Sequence, residues 1–479
     1  MLDSVPGGEP VGSLPMQRVL LLNLVGLTRR LIGDHTPHLQ AFAKNGACTS
    51  MTDVLPAVTC SAQATMLTGL SPQEHGVVGN GWLDPNNSEP RFWQQSNKLV
   101  SGELLYEAAR KAHPEFTCAK LFWWFNMGAQ VDWSITPRPF YCADGLKVLA
   151  TYSAPSAFGA RLEEEFGPFP FFDFWGPKSG LPSSRWITDI TLQTMERERP
   201  TLTMAYLPHL DYNFQRYGPD DERSVQALKE LDVLFGELAN AAANQGVEVV
   251  AVSEYGIESA HTPIHVNRAL REAGLLQVRP SPRGEELDVF ASRAFALADH
   301  QVAHVYVRDD GDLQTVRELL VGLPGVDKTW AGEERREVQL DHERAGDLVL
   351  CAAPGAWFTY YYWTDEGQRP DFAPTVDIHS KPGYDPCELF VDPELFSPTL
   401  RVVRRVLQKK LGMRYLMDVI PTDATLVGGS HGRGASDPLD GPVFLSSVPL
   451  EQLNPSDSAD QIEMASVKER VLHIMRAKR

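Results

Sequence analysis

Short β-branched or Leu-rich runs alternate along this chain with stretches whose apolar positions recur every three or four residues. The runs at 19–24 (VLLLNL), 117–122, 201–207 and 247–253 predict buried strands, being too short for helices and flanked by turn-forming residues. Between them, 36–45 (opening at Pro37), 61–68, 101–112, 185–198 and 224–243 carry helical spacing. Strand, helix, strand in this rhythm predicts an α/β domain with a mostly parallel central sheet covered by helices on both faces.

From about residue 279 the texture changes. A strand at 302–307, a helix at 312–321 and two strands at 346–352 and 357–363, able to pair as a hairpin, predict a smaller inserted α+β subdomain. The expected division is a flexible tail at 1–16, the first part of the core at 17–278, the insert at 279–375, a returning part of the core at 376–448, and a linker with a C-terminal helix at 449–479. The linker is the polar stretch 449–464. The helix is carried by Val467, Val471, Leu472 and Met475.

Composition narrows the function. With 479 residues, 43% hydrophobic and 22% charged, the chain can bury a large core, which excludes a disordered or fibrous protein. Its 44 basic and 62 acidic residues give a net charge of −18, which disfavours nucleic acid and acidic membrane surfaces as partners and also repels anionic substrates. A phosphate-handling site here needs a metal or a local cluster of donors. Six scattered cysteines without a CxxC pair predict reduced thiols and a cytoplasmic location. No stretch approaches the length of a membrane span, and the run at 19–27 lacks the flanks of a signal peptide.

In an open parallel sheet, ligands bind beyond the carboxyl ends of the strands. Four such ends carry notable residues: 56–61 (PAVTCS), 206–219 (YLPHLDYNFQRYGP), 253–257 (SEYGI) and 428–433 (GGSHGR). Together with the stretch 56–69 (PAVTCSAQATMLTG) and the motif T-G-x-x-P-x-x-H-G-x-x-G-N at 68–80, this order resembles the nucleotide pyrophosphatase/phosphodiesterase branch of the alkaline phosphatase superfamily, from about Val19 to about Leu445. The resemblance implies an alkaline phosphatase-like fold and a hydrolase or transferase acting on a phosphate mono- or diester or a pyrophosphate. It implies Thr59 as the nucleophile, Asn80 as the residue that holds the phosphate, and paired metal ions that stabilise the attacking and leaving oxygens. A hydroxyl beside a helix beginning at 61 would also serve as an N-cap.

Against the family pattern, the metal positions are altered. Asp211 and His431 match their counterparts, Glu254 replaces an Asp, and Val25, Gln215 and Tyr255 stand where an Asp and two His are expected. The implied cofactor is therefore a divalent metal, Zn²⁺, Mn²⁺ or Mg²⁺, held by Asp211, Glu254 and His431, one ion rather than two. His209, His261, His265, and the pair His300 and His304 are other residues that could rebuild a site, and Lys381 is a cation that could receive a phosphate. The alternatives are a catalytically silent or metal-independent binding protein that retains the fold, and an enzyme using Cys60, Tyr255 or His209. Aromatic runs at 122–125, 169–175 and 357–363 predict core packing or the wall of a substrate pocket.

Overall fold

Six successive buried residues, Val19–Leu24, form a strand with partners on both edges, deep in a nine-stranded sheet. The computed structural model describes residues 16–143, 146–413, 415–453 and 461–477. The sheet runs in the order Gln461–Ile462, Ala47–Met51, Val443–Ser446, Glu248–Val252, Val19–Leu24, Leu202–Leu207, Cys118–Leu121, Trp133–Pro137 and Thr151–Ala154. Val19–Leu24 pairs in parallel with both neighbours, and the parallel pairing continues through Cys118–Leu121 to Trp133–Pro137. Val443–Ser446 runs antiparallel to both of its neighbours, as does Thr151–Ala154 to its one partner. The three central strands end level, with Leu24 opposite Leu207 and Asn23 opposite Val252. Their following loops therefore converge at one edge, as a parallel sheet requires.

Helices cover the sheet in two groups. One contains Pro37–Asn45, Leu181–Arg197, His209–Tyr217 and Glu222–Asn244; the other contains Thr59–Thr68, Leu105–Ala112 and Val467–Arg476. The C-terminal helix docks as its apolar spacing predicts, and its Lys468 Nζ donates to the carbonyls of Thr68 (3.2 Å) and Glu103 (2.7 Å). The segment ahead of it is not linker throughout, because Gln461–Ile462 adds an edge strand to the main sheet. The tail at 1–15 and residues 454–460 lie outside the described residues.

A second, antiparallel sheet has the order Ala294–Asp299, Val302–Val307, Leu348–Ala352, Val326–Ala331, with the helix Asp310–Val321 against it. The expected hairpin between 346–352 and 357–363 does not form. Leu348–Ala352 is used on both edges by this sheet, and Ala356–Phe358 pairs in parallel with Thr262–Ile264. Tyr360 to Trp363 then leave the strand and bury in an aromatic cluster, since large rings gain more from packing than from a short edge pairing. The turn after Ala294–Asp299 delivers Asp299 and His300 to the edge where the loops of the main sheet converge.

Candidate active site

The helix Thr59–Thr68 starts two residues earlier than its apolar pattern predicts. Thr59 is its first residue, Val58 is the N-cap, and no side-chain cap bond forms. The capping role is therefore absent. The Thr59 hydroxyl instead donates to Glu254 Oε2 at 2.9 Å and lies 3.2 Å from the Tyr255 hydroxyl. Glu254 is fully buried, and its Oε1 accepts from Asn23 Nδ2 and Gln63 Nε2, each at 2.6 Å. Burial pushes its carboxyl up to about 7, even though these hydrogen bonds favour the charged form.

Tyr255 links this pair to the next. Its hydroxyl donates to Asp211 Oδ1 at 3.2 Å, so the phenol stands between the Thr59 hydroxyl and that carboxylate. A cation shared by those two oxygens would have to occupy the same place. Asp211 sits in the first turn of His209–Tyr217, and Gln215, one turn along the same face, donates its amide to Asp211 Oδ2 at 2.7 Å. The Gln215 carbonyl accepts from the Tyr384 hydroxyl at 2.7 Å. Burial raises the Asp211 carboxyl to about 6.

His431 follows the short strand Gly429–Ser430. Its Nδ1 donates to the Ala57 carbonyl at 2.8 Å, which fixes the tautomer and leaves Nε2 as a bare acceptor. That nitrogen is buried without a hydrogen-bond partner, 3.9 Å from Asp211 Oδ1. The imidazole is the second ring of a column: Tyr255 stacks on it with centroids 3.6 Å apart, His300 follows at 3.8 Å, and Tyr384 lies 3.7 Å beyond His300. Burial holds both imidazoles well below their usual pKa, so both are neutral.

Asn80 closes the other side of the helix N-terminus. Its Oδ1 accepts from the Cys60 backbone N–H at 3.0 Å, while its backbone N and Nδ2 donate to Asp299 at 2.7 and 3.0 Å. Asp299 Oδ1 also lies 2.8 Å from His300 Nδ1. One buried carboxylate thus positions both Asn80 and a ring of the stacked column.

The five expected residues, Thr59, Asn80, Asp211, Glu254 and His431, come together. Several others do not. His209 faces Glu230, His261 is exposed, and His265 bonds Thr359. His304 has both ring nitrogens engaged, by the Val78 carbonyl at 2.9 Å and the Gly346 N–H at 3.1 Å, so it shares no ion with His300. Lys381 is buried between Asp385 and Glu388, 2.7 Å from each, and is not available to a phosphate. Burial raises the Cys60 thiol well above its usual value, which makes it inert. Sequence reasoning missed Asn23, Gln63 and Tyr384. Asn23 had left a trace, as the lone polar side chain in an apolar strand.

The donors do not fit two metal ions. Val25 is an apolar core residue, Gln215 turns its N–H₂ toward Asp211, and Tyr255 fills the space between Thr59 and Asp211. Glu254 is occupied by two amides and the Thr59 hydroxyl. What fits a cation is one edge, the bare His431 Nε2 facing Asp211 Oδ1. Among the described residues, no group of three or more His, Cys, Asp or Glu is arranged to hold an ion.

The family model for type I phosphodiesterase / nucleotide pyrophosphatase matches residues 19–385. An uncharacterized pyrophosphatase/phosphodiesterase of Schizosaccharomyces pombe is 23% identical over 257 residues, covering 50% of this chain and 44% of that protein. Ectonucleotide pyrophosphatase/phosphodiesterase family member 1 of Mus musculus is 22% identical over 296 residues, covering 58% of this chain and 28% of that protein. The chain thus spans less than half the length of these relatives. Phosphonoacetate hydrolase from Sinorhizobium meliloti 1021 superposes with a TM-score of 0.61 at 14% identity, covering 97% of this chain and 96% of the other. Murine ectonucleotide pyrophosphatase/phosphodiesterase 5 does so with 0.56 at 15%, covering 96% of each. These likenesses establish the alkaline phosphatase-like fold. With its family match running from the first sheet strand to the loop beyond Tyr384, the chain belongs to the type I phosphodiesterase/nucleotide pyrophosphatase family.

Proposed function

We propose that this chain hydrolyses or transfers the phosphoryl group of a small phosphate ester or pyrophosphate, with Thr59 as the nucleophile and Glu254 as its proton acceptor. The observation that carries this reading is the 2.9 Å hydrogen bond from the Thr59 hydroxyl to a buried carboxylate at the first turn of a helix. As the Thr59 oxygen bonds to phosphorus, its proton passes to Glu254 and the electron pair of the breaking P–O bond leaves with the substrate oxygen. The departing oxygen takes a proton from solvent and Glu254 returns its own. Water then attacks the phosphothreonine and gives a proton to Glu254, while the Thr59 oxygen leaves with the electron pair of the breaking O–P bond and takes that proton back. The second N–H of the Asn80 amide, beside the first turn of the Thr59–Thr68 helix, is a donor for the developing charge. Family membership and the fold support the reaction class. A reducing, cytoplasmic setting is part of the proposal, supported by six free cysteines.

The test compares parent, Thr59→Ala and Glu254→Gln on p-nitrophenyl phosphate, its bis ester and a nucleotide pyrophosphate, with chelator or with Mn²⁺, Mg²⁺ or Zn²⁺. Turnover falls to background in Thr59→Ala and by about 10²–10⁴-fold in Glu254→Gln. Equal turnover by parent and Thr59→Ala removes Thr59 from the mechanism. A second reading, a binding protein without catalysis, is favoured by the Tyr255 phenol and the stacked rings that fill the site. A parent inactive under every condition, yet stabilised by the same nucleotides, selects it.

A further inference from the structure

Amphipathic surface helices turn their apolar side inward. The helix Pro398–Lys410 does the reverse. Its inward edge is polar: Arg401 and Arg405, one turn apart, both donate to Asp418, at 2.8 and 2.9 Å, and Gln408 continues the same edge. The opposite side faces water, with Leu400 64%, Val403 47% and Leu407 54% exposed. Phe396 before the helix and Leu411 after it extend this stripe, at 103% and 73%. Nine of the 21 exposed large apolar side chains among the described residues fall within 396–415, a concentration that a surface without a partner does not carry.

Charge selects the partner. Residues 396–414 (FSPTLRVVRRVLQKKLGMR) contain six Lys or Arg and no Asp or Glu, in a chain of net charge −18. Arg404 and Lys410 stand exposed alongside the apolar stripe. A second copy of the helix would bring six more cations against these. An apolar stripe flanked by cations is instead complementary to an anionic lipid surface, where the rings and leucines enter the acyl boundary and the cations meet headgroup phosphates. Among the described residues no helix is long and apolar enough to cross a membrane, so the contact is one that lies in the surface. We propose that 396–411 is an interfacial anchor that seats the protein on anionic membranes, with the acidic remainder of the chain turned away.

Co-sedimentation of the full chain with vesicles tests this. The parent sediments with vesicles of phosphatidylcholine and phosphatidylglycerol, stays in the supernatant with phosphatidylcholine alone, and is released by high salt. Leu400→Ser/Leu407→Ser binds on the order of a hundredfold more weakly, and Arg404→Gln/Lys410→Gln roughly thirtyfold more weakly. Both keep the parent's melting temperature, because the altered side chains are exposed. A parent that ignores the anionic vesicles, a leucine variant that binds them undiminished, or a parent dimer that the leucine variant dissolves would each overturn the proposal.

Discussion

Two pairs of buried carboxylates in this molecule are neutralised in opposite ways. Asp385 and Glu388 hold Lys381 between them at 2.7 Å each, with all three side chains about 1% exposed. Burial works against the charge of the lysine, but the two carboxylates outweigh it and raise its pKa. Asp211 and Glu254 have no such cation. They are satisfied by the amides of Gln215, Asn23 and Gln63 and by the hydroxyls of Thr59 and Tyr255, and both carboxyls titrate well above their usual range. A carboxylate pair that carries its own counter-charge is structural. One held by neutral donors, beside a bare imidazole nitrogen, keeps its charge adjustable, as the proposed role of Glu254 as proton acceptor requires.

The largest effect expected from breaking this contrast is in the first pair. Lys381→Met strands two buried carboxylates and lowers stability by about 3–5 kcal/mol, read from denaturant unfolding. Asp211→Asn, which removes a charge that burial already disfavours, brings no comparable loss.

A smaller effect separates the pairs by pH. Glu254 binds its proton more tightly folded than unfolded, so its contribution is intact below about 4.5 and is lost as pH rises through about 7. Across that window the parent should lose about 3 kcal/mol relative to Glu254→Gln, whose carbonyl still accepts from Asn23 and Gln63. Melting curves of the two proteins that stay parallel from acid to neutral pH would contradict the assignment.

The smallest effect sharpens the comparison by supplying the missing cation. Tyr255→His removes the phenol between Thr59 and Asp211 and places a third donor beside Asp211 and His431. Zn²⁺ at a hundred times its Kd then adds about 2.7 kcal/mol to the variant, read as a rise in melting temperature, and little to the parent. Equal response in both would mean that the phenol does not stand in the place of a cation.

The strands at 19–24, 201–207 and 247–253 were legible because a doubly covered parallel sheet needs continuous apolar runs. The motif at 68–80 was equally legible, since Gly69 and Gly76 end their helices at positive φ, a local requirement. The hairpin expected at 346–363 was not, because apolar β-branched residues specify a strand but not its partner. Lys381 misled as a phosphate acceptor, because nothing local shows that two carboxylates three residues apart will close on it.

From the sequence alone came the α/β class and, through the resemblance to the family, the five candidates Thr59, Asn80, Asp211, Glu254 and His431 and the departures at Val25, Gln215 and Tyr255. Side-chain type and local spacing determine those features. Only the tertiary structure decided what surrounds Thr59, Asp211 and Glu254: a phenol between the Thr59 hydroxyl and Asp211, amides from one strand and two helices, and a column of four stacked rings. It also decided that the helix Pro398–Lys410 faces outward, because Asp418 pairs with its arginines. Such choices depend on contacts between residues far apart in the chain, and a pattern along one strand or helix cannot express them.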